Sequence, residues 1–248
     1  MKKVIIITGS SRGIGAATTL KAASQGYAVC INYIHNEKAA NQIVKEIVSH
    51  NGEAIAVQAD ISQEDDVKKL FARVDEKLGK LTALVNNVGI LEQKMHVVDM
   101  DKKRLERIFQ TNVIGYFLCA QEAIKRMSTQ RGGNGGVIVN VSSAASRLGS
   151  AGEYVDYAAS KGAIDSLTIG LSKEIAAEGI RVNCVRPGFI YTDIHASCGE
   201  PNRVDQKKSL LPLKRGGHPE EIADIIMWLL SEQASYVTGA FIDAAGGL

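Results

Sequence analysis

A tyrosine and a lysine stand four residues apart in the segment YAASK, residues 157–161. Side chains at this spacing lie on the same face of a helix. A phenol ordinarily has a pKa of about 10, so tyrosine is a poor acid or base at neutral pH unless a nearby cation stabilises its anion. The pair therefore indicates proton transfer by Tyr157 with Lys161 beside it. The spacing alone is weak support, because a surface lysine beside an interior tyrosine also arises by chance.

Further polar side chains follow two apolar runs that read as strands. Ser143 comes just after the run 137–141, and Asn86 ends the run 83–86 and is followed by Gly89. Ligands bind at the carboxyl edge of a parallel sheet, where both runs end, so we expect these residues to meet there. Asn112 lies inside a predicted helix, where asparagine has poor propensity, and this indicates a role other than helix formation.

A glycine-rich turn, TGSSRGIG at residues 8–15, joins the first predicted strand to the first predicted helix. Glycines at such a turn let the backbone approach a pyrophosphate, which then lies on the amino terminus of the helix. The spacing differs from the usual GxGxxG dinucleotide fingerprint. The same residues also spell GxSxG around Ser11, the nucleophile elbow of α/β-hydrolases. Only one strand precedes it and no HGGG loop occurs, so the context argues against a hydrolase.

The end of the second predicted strand indicates the type of dinucleotide. An NAD site places an acidic residue there to bind the ribose 2′-hydroxyl, whereas this strand ends at Asn32 and Tyr33 with no acid before Glu37. Arg12, inside the glycine-rich turn, can donate charge-assisted hydrogen bonds to a 2′-phosphate. The sequence therefore favours NADP over NAD.

Short β-branched runs alternate with amphipathic stretches along the whole chain. The predicted strands are 4–8, 28–32, 54–58, 83–86, 137–141, 181–185 and 240–243, and the predicted helices are 14–25, 37–50, 62–78, 102–127, 153–178 and 219–230. Repeated βα units predict an α/β fold, a doubly wound Rossmann-type parallel sheet of about seven strands with helices on both faces. We expect a single dinucleotide-binding and catalytic domain, 1–248. The polar, poorly periodic stretch 193–217 is expected to form a substrate-binding lid within it.

Composition excludes several other classes of protein. The 248 residues are 45% hydrophobic and 23% charged, with a net charge of +2, which predicts no nucleic-acid partner. Four scattered cysteines form no CxxC pair and five histidines no HxxxH, so no metal site is expected. The apolar run at the amino terminus ends after four residues, too short for a signal peptide, and no run is long enough to span a membrane. These observations predict a cytoplasmic protein.

Taken together, these residues resemble the short-chain dehydrogenase/reductase family, and the chain is similar over its whole length to bacterial 3-oxoacyl-acyl-carrier-protein reductases and related carbonyl and sugar dehydrogenases. The resemblance is carried, in the order typical of the family, by TGSSRGIG at 8–15, Asp60, NNVG at 86–89, Asn112, Ser143, YAASK at 157–161, Pro187-Gly188 and Thr192. Val88 is a departure, since the family usually has alanine there.

The resemblance implies a role for each matching residue. Tyr157 would be the general acid in reduction and the base in oxidation, Lys161 would lower its pKa, Ser143 would bind the substrate carbonyl, and Asn112 would hold a water in a proton relay. The resemblance also implies an NADP(H) cofactor. The expected cofactor-binding residues are Gly9, Ser11, Arg12, Gly13, Ile14, Gly15, Asn32, Tyr33, Asp60, Ile61, Asn86, Gly89, Tyr157, Lys161, Pro187, Gly188, Ile190 and Thr192.

The substrate is less closely defined than the reaction. The expected partner is a small ketone or secondary alcohol, with a 3-oxoacyl thioester on acyl carrier protein as one candidate and a sugar or xenobiotic carbonyl compound as the alternative. An acidic carrier protein requires a basic rim, for which Arg126 and Arg131 are candidates, while Glu178 stands near the place where such reductases carry an arginine. A different class, a non-catalytic NADP-binding regulator, also fits the cofactor motifs.

Small residues along the predicted helix 153–178 favour an oligomer. They are Ala159, Gly162, Ala163, Ser166 and Gly170. Such a face lets another helix approach closely, and in similar enzymes this helix takes part in a four-helix contact between subunits. A homotetramer, or a homodimer, is therefore expected. The alternative is that these small residues pack on the sheet of their own chain.

Overall fold

The computed structural model, which describes residues 2–248, contains one sheet of seven parallel strands. The strands are β1 Lys3–Ile7, β2 Tyr27–Tyr33, β3 Ala54–Gln58, β4 Ala83–Asn86, β5 Gly136–Val141, β6 Ile180–Pro187 and β7 Phe241–Ala244. Their order across the sheet is β3-β2-β1-β4-β5-β6-β7, and every neighbouring pair is parallel. The predicted doubly wound α/β fold is confirmed.

Helices cover both faces of this sheet. They are α1 Gly13–Ser24, α2 Glu37–Ser49, α3 Glu64–Lys77, α4 Lys102–Phe109, α5 Gly115–Met127, α6 Ala145–Leu148, α7 Val155–Glu174, α8 Ile194–Ser197, α9 Arg203–Lys207 and α10 Pro219–Leu230. Successive side chains of a strand point to opposite faces. Accordingly, Val4 and Ile6 pack in one buried cluster with Tyr116, while Ile5 packs in a second cluster with Ile222. The continuous apolar runs in the sequence are therefore strands buried on both faces.

The order of strands reverses between β1 and β4, which are neighbours in the sheet. The chain leaves β1 toward β2 on one side and β4 toward β5 on the other, so the loops at their carboxyl ends diverge. In open α/β sheets this divergence forms the crevice in which ligands bind. The fold thus brings the loops that follow β1, β4, β5 and β6 to one edge.

Two predicted helices are interrupted in the structure. The predicted helix 102–127 contains a π-helical turn, Gln110–Ile114, between α4 and α5. The insertion of one residue per turn in a π-helix commonly marks a functional position, and here the turn contains Asn112. The predicted helix 153–178 ends as α7 at Glu174 and continues as a 3₁₀ turn, 176–178.

The segment 193–217 leaves the end of β6 and returns beside it. An isolated parallel bridge joins Ile190 to Gly217. The Tyr191 amide donates to the Gly217 carbonyl at 3.0 Å, and the Gly217 amide donates to the Phe189 carbonyl at 2.9 Å. Both ends of the segment are therefore fixed at the same edge of the sheet.

No helix within residues 2–248 has the length and apolar character needed to cross a membrane. Over the same residues, no group of three or more His, Cys, Asp or Glu side chains is arranged to hold a metal ion. The four cysteines are buried and unpaired as disulfides.

Candidate active site

A cavity of about 700 Å³ opens at the carboxyl edge of the sheet. This volume is within the range of ligand and cofactor pockets, about 300–1,000 Å³. The cavity starts at the glycine-rich turn, passes the ends of β4 and β5, and reaches the segment 193–217. Most of the residues that the sequence assigns to the site line this cavity: Gly9, Ser11, Arg12, Gly13, Ile14, Asn32, Tyr33, Ile61, Gly89, Ser143, Tyr157, Lys161, Pro187, Gly188, Ile190 and Thr192.

The glycine-rich turn is shaped by backbone conformations and contacts that require glycine. Gly9 has φ +61°, and a Cβ on it would lie 2.8 Å from the Val88 side chain. Gly13 has φ +55°. These positive φ angles are costly for other residues. Gly15 is buried behind the cavity wall, and a Cβ on it would lie 2.6 Å from the Gly9 carbonyl oxygen. The absence of a side chain at Gly15 therefore allows α1 to pack closely against the turn.

The end of β2 carries amides and aromatic rings in place of a carboxylate. The Asn32 side chain accepts from the Gly9 amide at 3.1 Å and donates to the Ala59 carbonyl at 2.9 Å, so it fixes the glycine-rich turn to β2. His35 and Asn36 also line the cavity, a contribution that the sequence reasoning missed. Arg12 is exposed at the same end, and its side chain makes no hydrogen bond or ion pair within residues 2–248.

Gly15 and three other expected cofactor or catalytic residues are not among those that line the cavity. Asn86 is fully buried and donates to the Asn140 side chain at 3.1 Å, while Asn87, the first residue after β4, lines the cavity. Asp60 accepts from the Ser62 amide at 2.9 Å, between two residues that do line the cavity. The third is Asn112.

Asn112 uses its side chain to hold other parts of the site. Its oxygen accepts from the Ile90 amide at 2.8 Å, and its amide donates to the Ile90 carbonyl at 3.0 Å and to the Ser160 hydroxyl at 3.2 Å. The π-helical turn presents this side chain toward both partners. Asn112 therefore ties the cavity wall after β4 to the residue that precedes Lys161, while the water relay stays a prediction.

Tyr157, Ser143 and Lys161 lie together at the centre of the cavity. The Ser143 side chain lies beside the Tyr157 hydroxyl and lowers the Tyr157 pKa, and the Ser143 hydroxyl oxygen accepts from the Ala145 amide at 3.1 Å. Lys161 Nζ lies 5.9 Å from the centroid of the Tyr157 ring. It donates to the Val141 carbonyl at 2.8 Å and to the Tyr116 hydroxyl at 3.2 Å.

Burial governs the acidity of this group. It raises the pKa of Tyr157 to about 12, against the lowering effect of the Ser143 side chain. It also lowers the pKa of Lys161 to about 8, because a low-dielectric surrounding disfavours the charged ammonium. Desolvation is the larger of the two influences on the phenol, and the lowering of its pKa by Lys161 stays a prediction.

The end of β6 completes the wall opposite the glycine-rich turn. The Gly188 amide donates to the Ala244 carbonyl at 3.0 Å, and a Cβ on Gly188 would lie 2.7 Å from the Ala245 backbone. Thr192 packs against Gly13, whose Cβ would lie 3.3 Å from the threonine methyl group. The walls from β1 and β6 thus meet over the cavity.

The far end of the cavity is mostly apolar, and apart from the segment 193–217 its residues were not predicted as a site. Its residues come from several elements, and they are Leu91, Leu148, Tyr154, Phe189, Ile194, His195, Arg203 and Leu248. The Arg203 guanidinium is buried, stacks on the Tyr154 ring at 4.9 Å and forms ion pairs with Glu153 and Glu200. The Arg203 charge is therefore paired with carboxylates and is not free to bind an anionic substrate.

The two arginines considered for a basic rim lie at the other edge of the sheet. Arg126 is near the end of α5, where the Gly135 amide donates to the Met127 carbonyl at 2.7 Å just before β5 begins. It is paired with Asp75 at 2.8 Å and with Glu122 at 2.6 Å. Arg131 follows α5 on the same side. Because β5 runs from this edge toward the cavity, neither arginine contributes to the cavity mouth.

The glycine-rich turn and the amino terminus of α1 fit a dinucleotide phosphate. A narrow turn kept free of side chains at Gly9 and Gly13 leads into α1, whose amino terminus favours an anion. A Cβ on Gly89 would lie 3.5 Å from Lys161 Nζ, so glycine keeps the passage from this turn to the polar centre open. The unpaired Arg12 cation stands where a 2′-phosphate requires one.

Comparison with known proteins agrees with this geometry. A family model described as enoyl-(acyl carrier protein) reductase matches residues 9–248. An uncharacterized oxidoreductase of Escherichia coli K12, YgfF, is 59% identical over 244 residues, 98% of this chain and 99% of that protein. The 3-oxoacyl-[acyl-carrier-protein] reductase FabG of Staphylococcus epidermidis is 35% identical over 100% of this chain and 99% of its own length.

Solved structures also resemble this chain over nearly its whole length. A short chain dehydrogenase from Burkholderia cenocepacia in complex with NADP has a TM-score of 0.90 and 28% identity, covering 99% of this chain and 97% of that one. A blue fluorescent protein from a metagenomic library in complex with NADPH has a TM-score of 0.90 and 30% identity over the same shares. The fold and site are those of a Rossmann-type oxidoreductase. The chain belongs to the short-chain dehydrogenase/reductase family.

Proposed function

We propose that this protein is an NADP(H)-dependent reductase that interconverts a ketone and a secondary alcohol. The observation that carries the proposal is the position of the Tyr157 hydroxyl beside Ser143 and close to Lys161, in the same cavity that begins at the glycine-rich turn. The NADP and NADPH complexes of two structural neighbours support the choice of cofactor.

In the reduction, the nicotinamide would supply a hydride to the carbonyl carbon. The Tyr157 hydroxyl donates a proton to the carbonyl oxygen, and its pKa of about 12 keeps that proton in place throughout the neutral range. The Ser143 hydroxyl donates a hydrogen bond to the same oxygen. The Lys161 ammonium stabilises the negative charge left on Tyr157 after transfer. Oxidation reverses these steps.

Arg12 is proposed to select NADP(H). Replacement of Arg12 by alanine is expected to weaken NADPH binding by about 10- to 100-fold, the contribution of one or two hydrogen bonds to a charged group, with little effect on NADH. Dissociation constants from titration of cofactor fluorescence measure both. Arg73→Ala, which removes an exposed arginine of α3 outside the cavity, serves as the control. An equal loss of NADH affinity in the Arg12 variant contradicts this role.

The character of the far end of the cavity favours an uncharged substrate flanked by apolar groups. Leu148, Phe189 and Ile194 supply apolar surface, and the Arg203 charge is already balanced by carboxylates. A ketone with a carboxylate or phosphate near the carbonyl would find no free cation there. A 3-oxoacyl thioester meets this requirement, and the FabG relatives at 35% identity support it. Arg126 and Arg131 do not lie at the cavity mouth, so they give no support to acyl carrier protein as the carrier of this thioester.

The segment 193–217 is proposed to act as the lid over this substrate. Its residues Asp193, Ile194, His195, Ser197 and Arg203 line the cavity. Ion pairs from Arg203 to Glu153 and from Lys94 to Glu200 connect the segment to the rest of the site. The lid is therefore held by charged contacts at the cavity edge and by the fixed ends at Ile190 and Gly217.

A homotetramer, or a homodimer, is proposed as the assembly. Large apolar side chains stand half-exposed along α4, the π-helical turn, α5 and α7, and they are Leu105, Phe109, Ile114, Phe117 and Ile169. A Cβ on Gly162 or Gly170 would meet nothing within 4 Å. These glycines are therefore not required for packing within the chain, which supports the close approach of a second subunit.

The proposed reaction is tested by following NADPH consumption over a panel of β-ketoacyl thioesters, sugars and small diketones. Uncharged ketones and thioesters are expected to be reduced, and ketones with an adjacent carboxylate are expected to be poor substrates. A non-catalytic regulator predicts NADPH binding with no turnover of any member of the panel. A hydrolase predicts release of p-nitrophenol from an ester, lost on Ser11→Ala, and no NADPH consumption.

A further inference from the structure

A buried ion pair joins α4 to the first turn of α7. Arg104 Nε donates to Asp156 Oδ2 at 2.7 Å, and Arg104 Nη2 lies 3.4 Å from Oδ1. The Arg104 side chain is 4% exposed and that of Asp156 is fully buried. Neither residue lines the cavity, and the reaction steps derived above do not use them.

The pair has contacts on both sides of the cavity. Asp156 precedes Tyr157 and accepts from its amide at 2.9 Å. The third guanidinium nitrogen, Arg104 Nη1, donates to the Gln93 carbonyl at 2.8 Å. Gln93 directly follows the stretch 87–92, which lines the cavity. One guanidinium therefore fixes the distance between the start of the Tyr157 helix and the wall that follows β4.

Stability alone is a poor explanation for this arrangement. Removing two charges from water costs free energy that their attraction only partly restores, and a neutral pair of similar volume is often as stable or more so. A planar guanidinium with several donors gives defined geometry that a flexible lysine does not. The pair provides a fixed relation between two walls, to which Asn112 and the hydrogen bond from the Met95 amide to the Glu153 carbonyl also contribute.

We propose that Arg104 and Asp156 are positioning residues that hold Tyr157 in register with the substrate carbonyl, an inference that rests on the proposed role of Tyr157. Asp156 orients the first turn of α7 through the Tyr157 amide, and Arg104 anchors that turn to the opposite wall. A misplacement of about 1 Å in a reacting group costs on the order of 100-fold in rate, so the pair affects turnover without touching substrate or cofactor.

The variants that test this are Asp156→Asn and the double variant Arg104→Gln/Asp156→Asn. The single variant removes the Asp156 carboxylate, which leaves the buried Arg104 only Glu92 at 4.0 Å, and is expected to lower the melting temperature as well as kcat. The double variant has no buried charge, so its melting temperature is expected to recover. Its kcat is expected to remain about 10- to 100-fold below that of the wild type, with the NADPH dissociation constant unchanged. Recovery of kcat together with thermal stability would show a purely structural role and overturn the inference.

The matched control is Glu122→Gln, which makes the same carboxylate-to-amide change in a partly buried ion pair of α5 outside the cavity. It is expected to lower the melting temperature and leave kcat unchanged. Hydrogen exchange gives a readout that needs no turnover: amides of residues 88–95 and 153–161 should exchange faster in both Asp156 variants and not in the control. Unchanged exchange there overturns the inference even if the reductase assay fails, whereas faster exchange with no activity in any protein counts only against the proposed function.

Discussion

Replacement of Tyr157 by phenylalanine is expected to reduce kcat by about 10²- to 10⁴-fold, the usual contribution of a positioned general acid. The substituted ring keeps the shape of the half-buried side chain and removes only the hydroxyl that lies beside Ser143. Cofactor binding should therefore remain, as measured by NADPH fluorescence, while NADPH oxidation against an accepted ketone is lost. A variant that turns over at the wild-type rate would refute the proposed mechanism.

Tyr154→Phe provides the matched control for this substitution. Tyr154 lies three residues earlier, lines the same cavity and donates to Glu200 at 2.5 Å, but it has Ala158 and not lysine four residues on. Loss of its hydrogen bond to the Glu200 carboxylate is expected to lower stability by about 1.5–3 kcal/mol, while kcat should change by less than about tenfold because the proposed reaction takes no proton from Tyr154. A comparable collapse of activity in both variants would indicate that disturbance of α7, and not loss of an acid, is responsible.

Replacement of Lys161 by methionine is expected to abolish turnover and at the same time to stabilise the fold at neutral pH. Lys161 is fully buried, and burial lowers its pKa from 10.5 to about 8. A shift of this size corresponds to about 3 kcal/mol of unfavourable burial of the charge. Because Val141 and Tyr116 lose a donor in the variant, a net gain of about 1–3 kcal/mol in the free energy of unfolding is expected.

The pH dependence of this gain distinguishes charge burial from better packing. Below about pH 8, Lys161 is charged in the folded and unfolded chains, and the folded state bears the full cost. Between about pH 8 and 10.5 the folded state has released a proton that the unfolded state still binds, so the wild type gains stability as pH rises. The advantage of the methionine variant should therefore shrink across this window.

Urea unfolding of the wild type and the Lys161→Met variant at pH 7 and pH 10 measures the difference in their free energies of unfolding. The other titrating groups are common to both proteins. Lys173→Met, at an exposed position on the same helix, is the control and should change stability by no more than about 0.5 kcal/mol at either pH. A gain that is the same at both pH values would mean that packing and not charge determines it.

The residues that the sequence could assign are those whose role depends on local spacing. Three features are each defined within a few residues of chain: the glycine-rich turn, the end of β2 at Asn32 with no acid directly after it, and the Tyr157–Lys161 pair. The structure brings residues of all three to one cavity. The sheet followed from repeated buried apolar runs. Family resemblance then ordered the remaining site residues.

What could not be predicted depends on contacts between distant segments or on the direction of a single side chain. Asn86 and Asn87 are adjacent, and only the folded structure shows that Asn86 is buried against Asn140 while Asn87, the first residue after β4, lines the cavity. The pKa of Tyr157 depends on desolvation in the folded protein, which outweighs the lowering effect of Ser143. The pairing of Arg104 with Asp156 spans 52 residues, and neither residue belongs to a local motif.

The bridge between Ile190 and Gly217 separates a segment whose sequence can vary from the part of the site whose positions must be kept. Because both ends of 193–217 are fixed beside the sheet, the residues between them can differ in length and composition without displacing Pro187 or Gly188. Surface loops with fixed ends tolerate insertion and substitution far better than the elements that hold them. With the role proposed for 193–217 as the lid, exchange of this one segment is expected to change the substrate while the glycine-rich turn and the end of β6 stay as they are.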